Sequence, residues 1–254
     1  NQLRKSKDGR YASETSREFP RIPGPSTWRP EVQGLRGVAV LMVVAYHAGW
    51  PTPGGFSGVD VFFVISGYVI TDLLISNSVG HRFLASLRVF VVSRFWRLFP
   101  ALAVLVFFVV VASPLVLPPL YGQRDTVQTG FAAVFSFANL AIERATGDYF
   151  STDAQNNALL HTWTLSLEAQ VYVVLLAVMT PITLSLSAHW RPNRRAVARR
   201  VVIAVIAFLT FFSGLISLFG LPFSLTGAAG AVAEFLTGFY GPVARFWEFG
   251  AGSL

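Results

Sequence analysis

Leu98-Phe-Pro-Ala-Leu-Ala-Val-Leu-Val-Phe-Phe-Val-Val-Val-Ala-Ser-Pro-Leu-Val-Leu117 is a stretch of 20 residues without one charged side chain. A helix needs about 20 mainly apolar residues to cross the roughly 30 Å of bilayer hydrocarbon. With no water there to receive backbone N–H and C=O groups, the stretch must close its hydrogen bonds within itself, and it reads as a transmembrane helix. Further apolar runs lie on both sides, at Leu35–Gly49, Val61–Ile75, Val127–Ile142, Leu159–Leu184 and Val201–Phe219, and another begins at Phe246–Leu254. The expected fold is therefore all-α, a multi-spanning transmembrane helix bundle of about six to seven membrane segments.

Composition agrees. Apolar residues make up 53% of the chain and charged ones 13%, with a mean hydropathy of +0.55, too little polar surface to clothe a water-soluble core of this length. There is no cysteine, which excludes disulfides and thiolate metal sites, and no metal-ligand spacing stands out. The first 34 residues are polar and lack an apolar core segment, so no cleavable signal is read and the first apolar run is expected to remain as an anchor. Residues 1–33, with Pro20, Pro23, Pro25 and Pro30 among charges, read as a flexible basic arm. Residues 34–254 read as a transmembrane domain, incomplete where a further span begins after Phe246.

Charge placement sets the expected orientation. Of 20 Lys and Arg residues, 17 lie in residues 1–36, between Arg82 and Arg97, or between Arg191 and Arg200. Basic residues beside spans mark cytoplasmic loops, so the N-terminus and the loops around 77–97 and 188–200 are expected inside a bacterial plasma membrane. That leaves both ends of the 127–142 run outside, where Glu143, Asp148 and Asp153 face one Arg144. The run is read as a re-entrant or interfacial helix, or as a span whose flanks break the charge rule. The net charge of +7 follows from topology. A nucleic-acid surface, which needs basic groups on one continuous folded face, is not expected.

Polar groups within apolar runs are expensive and are candidates for function. Arg36 and His47 are 11 residues apart, close to three turns, which puts them on one helical stripe about 16 Å apart. The structural alternatives are a snorkelling Arg and a packing His. Asp60, Ser66 and Tyr68 open the second run in Gly58-Val-Asp-Val-Phe-Phe-Val-Ile-Ser-Gly-Tyr68, where helix packing and capping explain them as well as binding does. His161, Glu168 and Tyr172 are spaced to share one helix face. Glu168 has no basic residue within a turn, so its partner must come from another helix. Arg94 and Arg97 suit a phosphate, or serve only as topology signals.

These motifs, in this order, resemble the acyltransferase-3 family of bacterial integral membrane proteins. The resemblance rests on Arg36 with His47, on Gly58 to Tyr68, and on Arg94, Arg97, Pro100 and Ala101. It continues through His161-Thr-Trp163-Thr-Leu-Ser166-Leu-Glu168-Ala-Gln170-Val-Tyr172, and ends on Arg245, Trp247, Glu248 and Gly252. Ala169 departs from the family's Glu-Glu pair, which points to Glu168 as the carboxylate that counts. The leader from Asp148 to Leu160 is most similar to members carrying an extracytoplasmic SGNH-type domain.

The resemblance implies an O-acyltransferase moving an acyl group, acetyl in the first instance, from cytoplasmic acyl-CoA to a hydroxyl of a cell-surface glycan or glycolipid. It casts His47, Glu168 and Arg36 as catalytic. Arg94, Arg97, Asp60, Ser66, Tyr68, His161, Trp163, Ser166, Gln170, Tyr172, Arg245 and Glu248 become binding residues. Nothing in the residues selects a covalent acyl-enzyme. The alternatives are a transporter or flippase of a lipid-linked sugar, with His47 and Glu168 as a proton relay, and a non-catalytic membrane anchor.

Overall fold

Segments that are apolar on every side make helices that face lipid or one another, and helices are what the chain forms. In the structure, a computed structural model, residues 29–76, 82–117, 122–146, 156–187, 192–220 and 226–254 are described. The helices are α1 (Pro30–His47), α2 (Gly58–Ser76), α3 (Arg82–Val116), α4 (Gly122–Val134), α5 (Ala138–Thr146), α6 (Thr162–Ser187), α7 (Pro192–Phe219), α8 (Gly227–Thr237) and α9 (Pro242–Ser253), with a short 3-10 turn at Gly55–Ser57. The basic arm before residue 29, and loop residues 77–81, 147–155 and 188–191, lie outside the described residues.

Four segments among the described residues are long and apolar enough to cross a membrane: Gly55–Asp72, Leu87–Val116, Thr162–Ile182 and Arg199–Phe219. In α3 only 6% of that window is fully buried by the rest of the chain. The protein is a multi-pass membrane protein.

Three elements differ from the sequence reading. The basic segments at 82–97 and 192–200 are helical, as the first turns of α3 and α7, rather than loops. Nothing in them breaks a helix, and Arg stems tolerate helical conformation well. Pro100 therefore lies inside α3 instead of in its first turn. The 127–142 run is two helices, divided at Ser136, a non-glycine residue with φ 62°. Gln170 of α6 holds that strained turn by donating to the Ser136 carbonyl at 2.8 Å. Its level on α6 is set by Ser166, which accepts the Ala138 N–H at 3.1 Å. The turn thus sits roughly 6–12 Å along α6 from the first residue, Thr162. The run is thus a helix-turn-helix fastened to α6. Lastly, His161 precedes α6 in a turn, so it does not share a helical face with Glu168.

The core is organised around α9, which packs on α2 and α7. Gly67 of α2 lies against the Phe249 backbone, and Gly252 of α9 against the Val64 carbonyl. A Cβ at either position would collide with main chain, so only glycine lets these two helices meet. Phe63 stacks on Phe249 at 4.7 Å between ring centroids, and Trp163, Leu167, Tyr240 and Ile70 complete the buried centre.

Candidate active site

A cavity of about 560 Å³ lies between α1, α2, α3 and α6. Arg36 and His47 come from α1, Ser66 from α2, Arg94 and Arg97 from α3, and His161, Trp163 and Glu168 from α6 and its approach. Eight of the residues singled out from sequence thus line a single space.

At its centre stands Glu168. Its Oε1 accepts from Ser66 Oγ at 2.6 Å, from Arg94 Nη1 at 3.2 Å and from the Tyr172 hydroxyl. The partner demanded from another helix is Arg94, 74 residues away. The pair is mostly buried, with side-chain exposures of 18% and 15%, and three donors on one oxygen suit an ionised carboxylate. Arg36 lies within electrostatic range of Arg94, Arg97 and Glu168, and its Nε is buried without a hydrogen-bond partner. Three guanidiniums therefore meet one carboxylate, and this end of the cavity carries excess positive charge that an anion would neutralise.

His47 occupies the far end, about 16 Å along α1 from Arg36. Its Nδ1 lies 2.8 Å from the Val43 carbonyl. A carbonyl only accepts, so Nδ1 is the donor in this contact. The His161 ring meets it edge-on, 4.4 Å between centroids. Val43 and His161 thus both contact the His47 ring, while Glu168 Oε1 accepts from three other donors.

The remaining candidates are elsewhere. Tyr172 supports Glu168 from one turn along α6. Ser166 and Gln170 fasten the α4–α5 turn. Tyr68 lies beneath the Arg29 guanidinium at 5.5 Å. Asp60, Arg245 and Glu248 form a cluster of their own. Arg245 Nη1 is 2.7 Å from Glu248 and 3.3 Å from Asp60, its Nε donates to the Phe239 carbonyl at 3.0 Å, and its guanidinium lies 4.2 Å from the Phe239 ring centre. Sequence reasoning missed Asn139, which is fully buried and exchanges hydrogen bonds with Gln170 while donating to the Tyr240 carbonyl. An amide inside the Val127–Ile142 run was its available signal.

The chain belongs to the acyltransferase-3 family: the family's acyltransferase domain matches residues 29–251. It is 39% identical to BcsY of Komagataeibacter xylinus, by name a candidate membrane-bound transacylase, over 63% of this chain and 40% of that one. It is 33% identical to the peptidoglycan O-acetyltransferase OatA of Listeria monocytogenes, over 68% and 27%. Identity to the O-acetyltransferase OatA of Staphylococcus aureus is 34%, over 70% and 28%. The chain thus spans well under half the length of these relatives. No solved structure matches it significantly.

Proposed function

We propose that the chain is the transmembrane catalytic part of an O-acyltransferase, which moves an acyl group from cytoplasmic acyl-CoA to a hydroxyl of a cell-envelope glycan or glycolipid. The observation that carries the reading is one cavity lined by the His47 imidazole at one end and three guanidiniums at the other. Relatives named as O-acetyltransferases make acetyl the first acyl group to test.

In this reading Arg36, Arg94 and Arg97 hold the phosphates of the donor, each by charge-assisted hydrogen bonds. His47 Nε2 takes the proton of the acceptor hydroxyl while that oxygen bonds to the thioester carbonyl carbon. Collapse breaks the C–S bond, and the departing thiolate takes the proton from the imidazolium. Glu168 keeps Arg94 and Ser66 in place. Charge placement puts the Arg end and the N-terminus on the cytoplasmic side of a bacterial plasma membrane, with the His pair toward the acceptor. An extracytoplasmic SGNH-type domain, fused or separate, would be the acceptor-side partner.

The test is transfer of radiolabelled acetyl from acetyl-CoA to a glycan acceptor in membranes containing the protein. An alkali-labile labelled ester that depends on the protein is expected. Wild-type membranes that move a lipid-linked sugar but never form an ester would replace this reading with the transporter.

A further inference from the structure

Behind the Arg94–Glu168 ion pair lies a second, smaller cavity of about 230 Å³ between α3, α6 and the tip of the α4–α5 turn. Phe95, Phe99 and Leu102 of α3, Ala133 of α4, and Ala169 and Leu176 of α6 give it apolar walls. It shares Arg94, Leu98, Leu165 and Glu168 with the main cavity, so the two spaces meet at a partition of two leucines and one ion pair.

Chemistry and size narrow its occupant. Most polar side chains on its wall are engaged elsewhere: Arg94 and Tyr172 donate to Glu168, and Ser166 accepts the Ala138 N–H, which leaves the single hydroxyl of Ser136. A sugar or other polar ligand would leave hydrogen-bonding groups unmatched there, at considerable cost. The volume lies below the roughly 300–1,000 Å³ that holds a drug-sized ligand, too little for a whole lipid or a polyprenyl chain. Its outer rim, Phe95 and Val173, is 48% and 66% exposed.

We propose that this annex receives the alkyl chain of the transferred acyl group, so that the enzyme accepts acyl groups well beyond acetyl. This rests on the acyltransferase reading above and adds the class of acyl substrate. The thioester carbonyl stays in the main cavity while the chain passes the Leu98–Leu165 partition. Ala169, with one methyl group on the annex wall, sets the room available.

Two measurements on the protein in membranes test this. Each methylene placed in the annex should raise kcat/KM by about fourfold, so octanoyl-CoA should be used at least as well as acetyl-CoA. Ala169→Phe should then lower the octanoyl-to-acetyl ratio by about tenfold or more, the equivalent of about two buried methylenes. The second measurement needs no variant. Octanoyl-CoA with a diazirine at its chain end should label Phe95–Leu102 and Ala169–Leu176. Labelling confined to Val40, Val43 and Phe62 of the main cavity would overturn the proposal. So would labelling of the annex by a diazirine phospholipid that octanoyl-CoA fails to displace, which would identify bilayer lipid as the occupant. Acetyl transfer without octanoyl transfer refutes the annex alone. Transfer of neither chain refutes the acyltransferase reading itself.

Discussion

The Arg94–Glu168 and Arg245–Asp60–Glu248 clusters use the same chemistry, a guanidinium bonded to carboxylate across two helices, in opposite surroundings. Glu168 faces a cavity in which cations outnumber anions, and Arg36 brings an unpartnered Nε to it. Arg245 is enclosed by the Phe239 ring and carbonyl, with the Trp163 ring centre at 5.9 Å, and bonds the fully buried Glu248. Trp163 stands between the two, lining the cavity and packing toward Arg245. An ion pair between membrane helices is therefore not by itself a functional site. What separates the two is whether an open, cation-rich space adjoins it.

The contrast breaks most readily at His47. His47→Gln keeps a hydrogen-bonding side chain and removes proton acceptance, so turnover should fall by about 10²–10⁴-fold with donor and acceptor binding nearly intact. Thermal unfolding in detergent should hardly change, because His47 is exposed and bonds its own helix. Wild-type turnover in this variant would reduce the histidine to packing.

Arg245→Leu should do the reverse. It leaves Asp60 and Glu248 without their cation, a loss of about 3–5 kcal/mol for a broken buried pair, read as a lowered melting temperature and reduced yield. An unchanged melting temperature with lost transfer would move this cluster into the catalytic machinery and erase the distinction.

Smaller effects sharpen the cationic end. Arg94→Ala and Arg97→Ala should raise the apparent KM for acyl-CoA by about ten- to a hundredfold, from charge-assisted hydrogen bonds of roughly 1.5–3 kcal/mol each. Acceptor KM should move less, and equal shifts in both would argue against phosphate contacts.

The smallest effect lies away from both clusters. Burial, and then the neighbouring Glu234, push the Glu143 carboxyl on α5 up from 4.5 to about 7. An acid whose pKa is raised on folding adds stability in its protonated form. That contribution is complete below pH 4.5 and is lost as pH rises through about 7. Melting at pH 5 should exceed melting at pH 8, and Glu143→Gln should flatten the difference; an equal slope in that variant would place the titrating group elsewhere.

Much of the site was legible in the sequence, because polar residues in apolar runs are few and each needs a reason. Arg36, His47, Arg94 and Glu168 stood out on that ground, as did the need of Glu168 for a partner on another helix. What stayed hidden was pairing. Asp60 and Arg245 are 185 residues apart, and no local period states which arginine meets which acid. Ser166 and Gln170 lie beside Glu168 in one motif, and only the structure shows that they also hold the α4–α5 turn.

Length and apolarity of the runs are one-dimensional quantities, and they fixed membrane helices and their approximate places, because hydrocarbon leaves the backbone no other way to satisfy itself. The extension of α3 and α7 into the basic segments, the break at Ser136, and the glycine contacts of Gly67 and Gly252 were decided only in three dimensions. The same holds for the sorting of two arginine clusters into one open cavity and one closed core. Each depends on the crossing and register of helices distant in sequence, where close packing, rather than local propensity, determines which side chains meet.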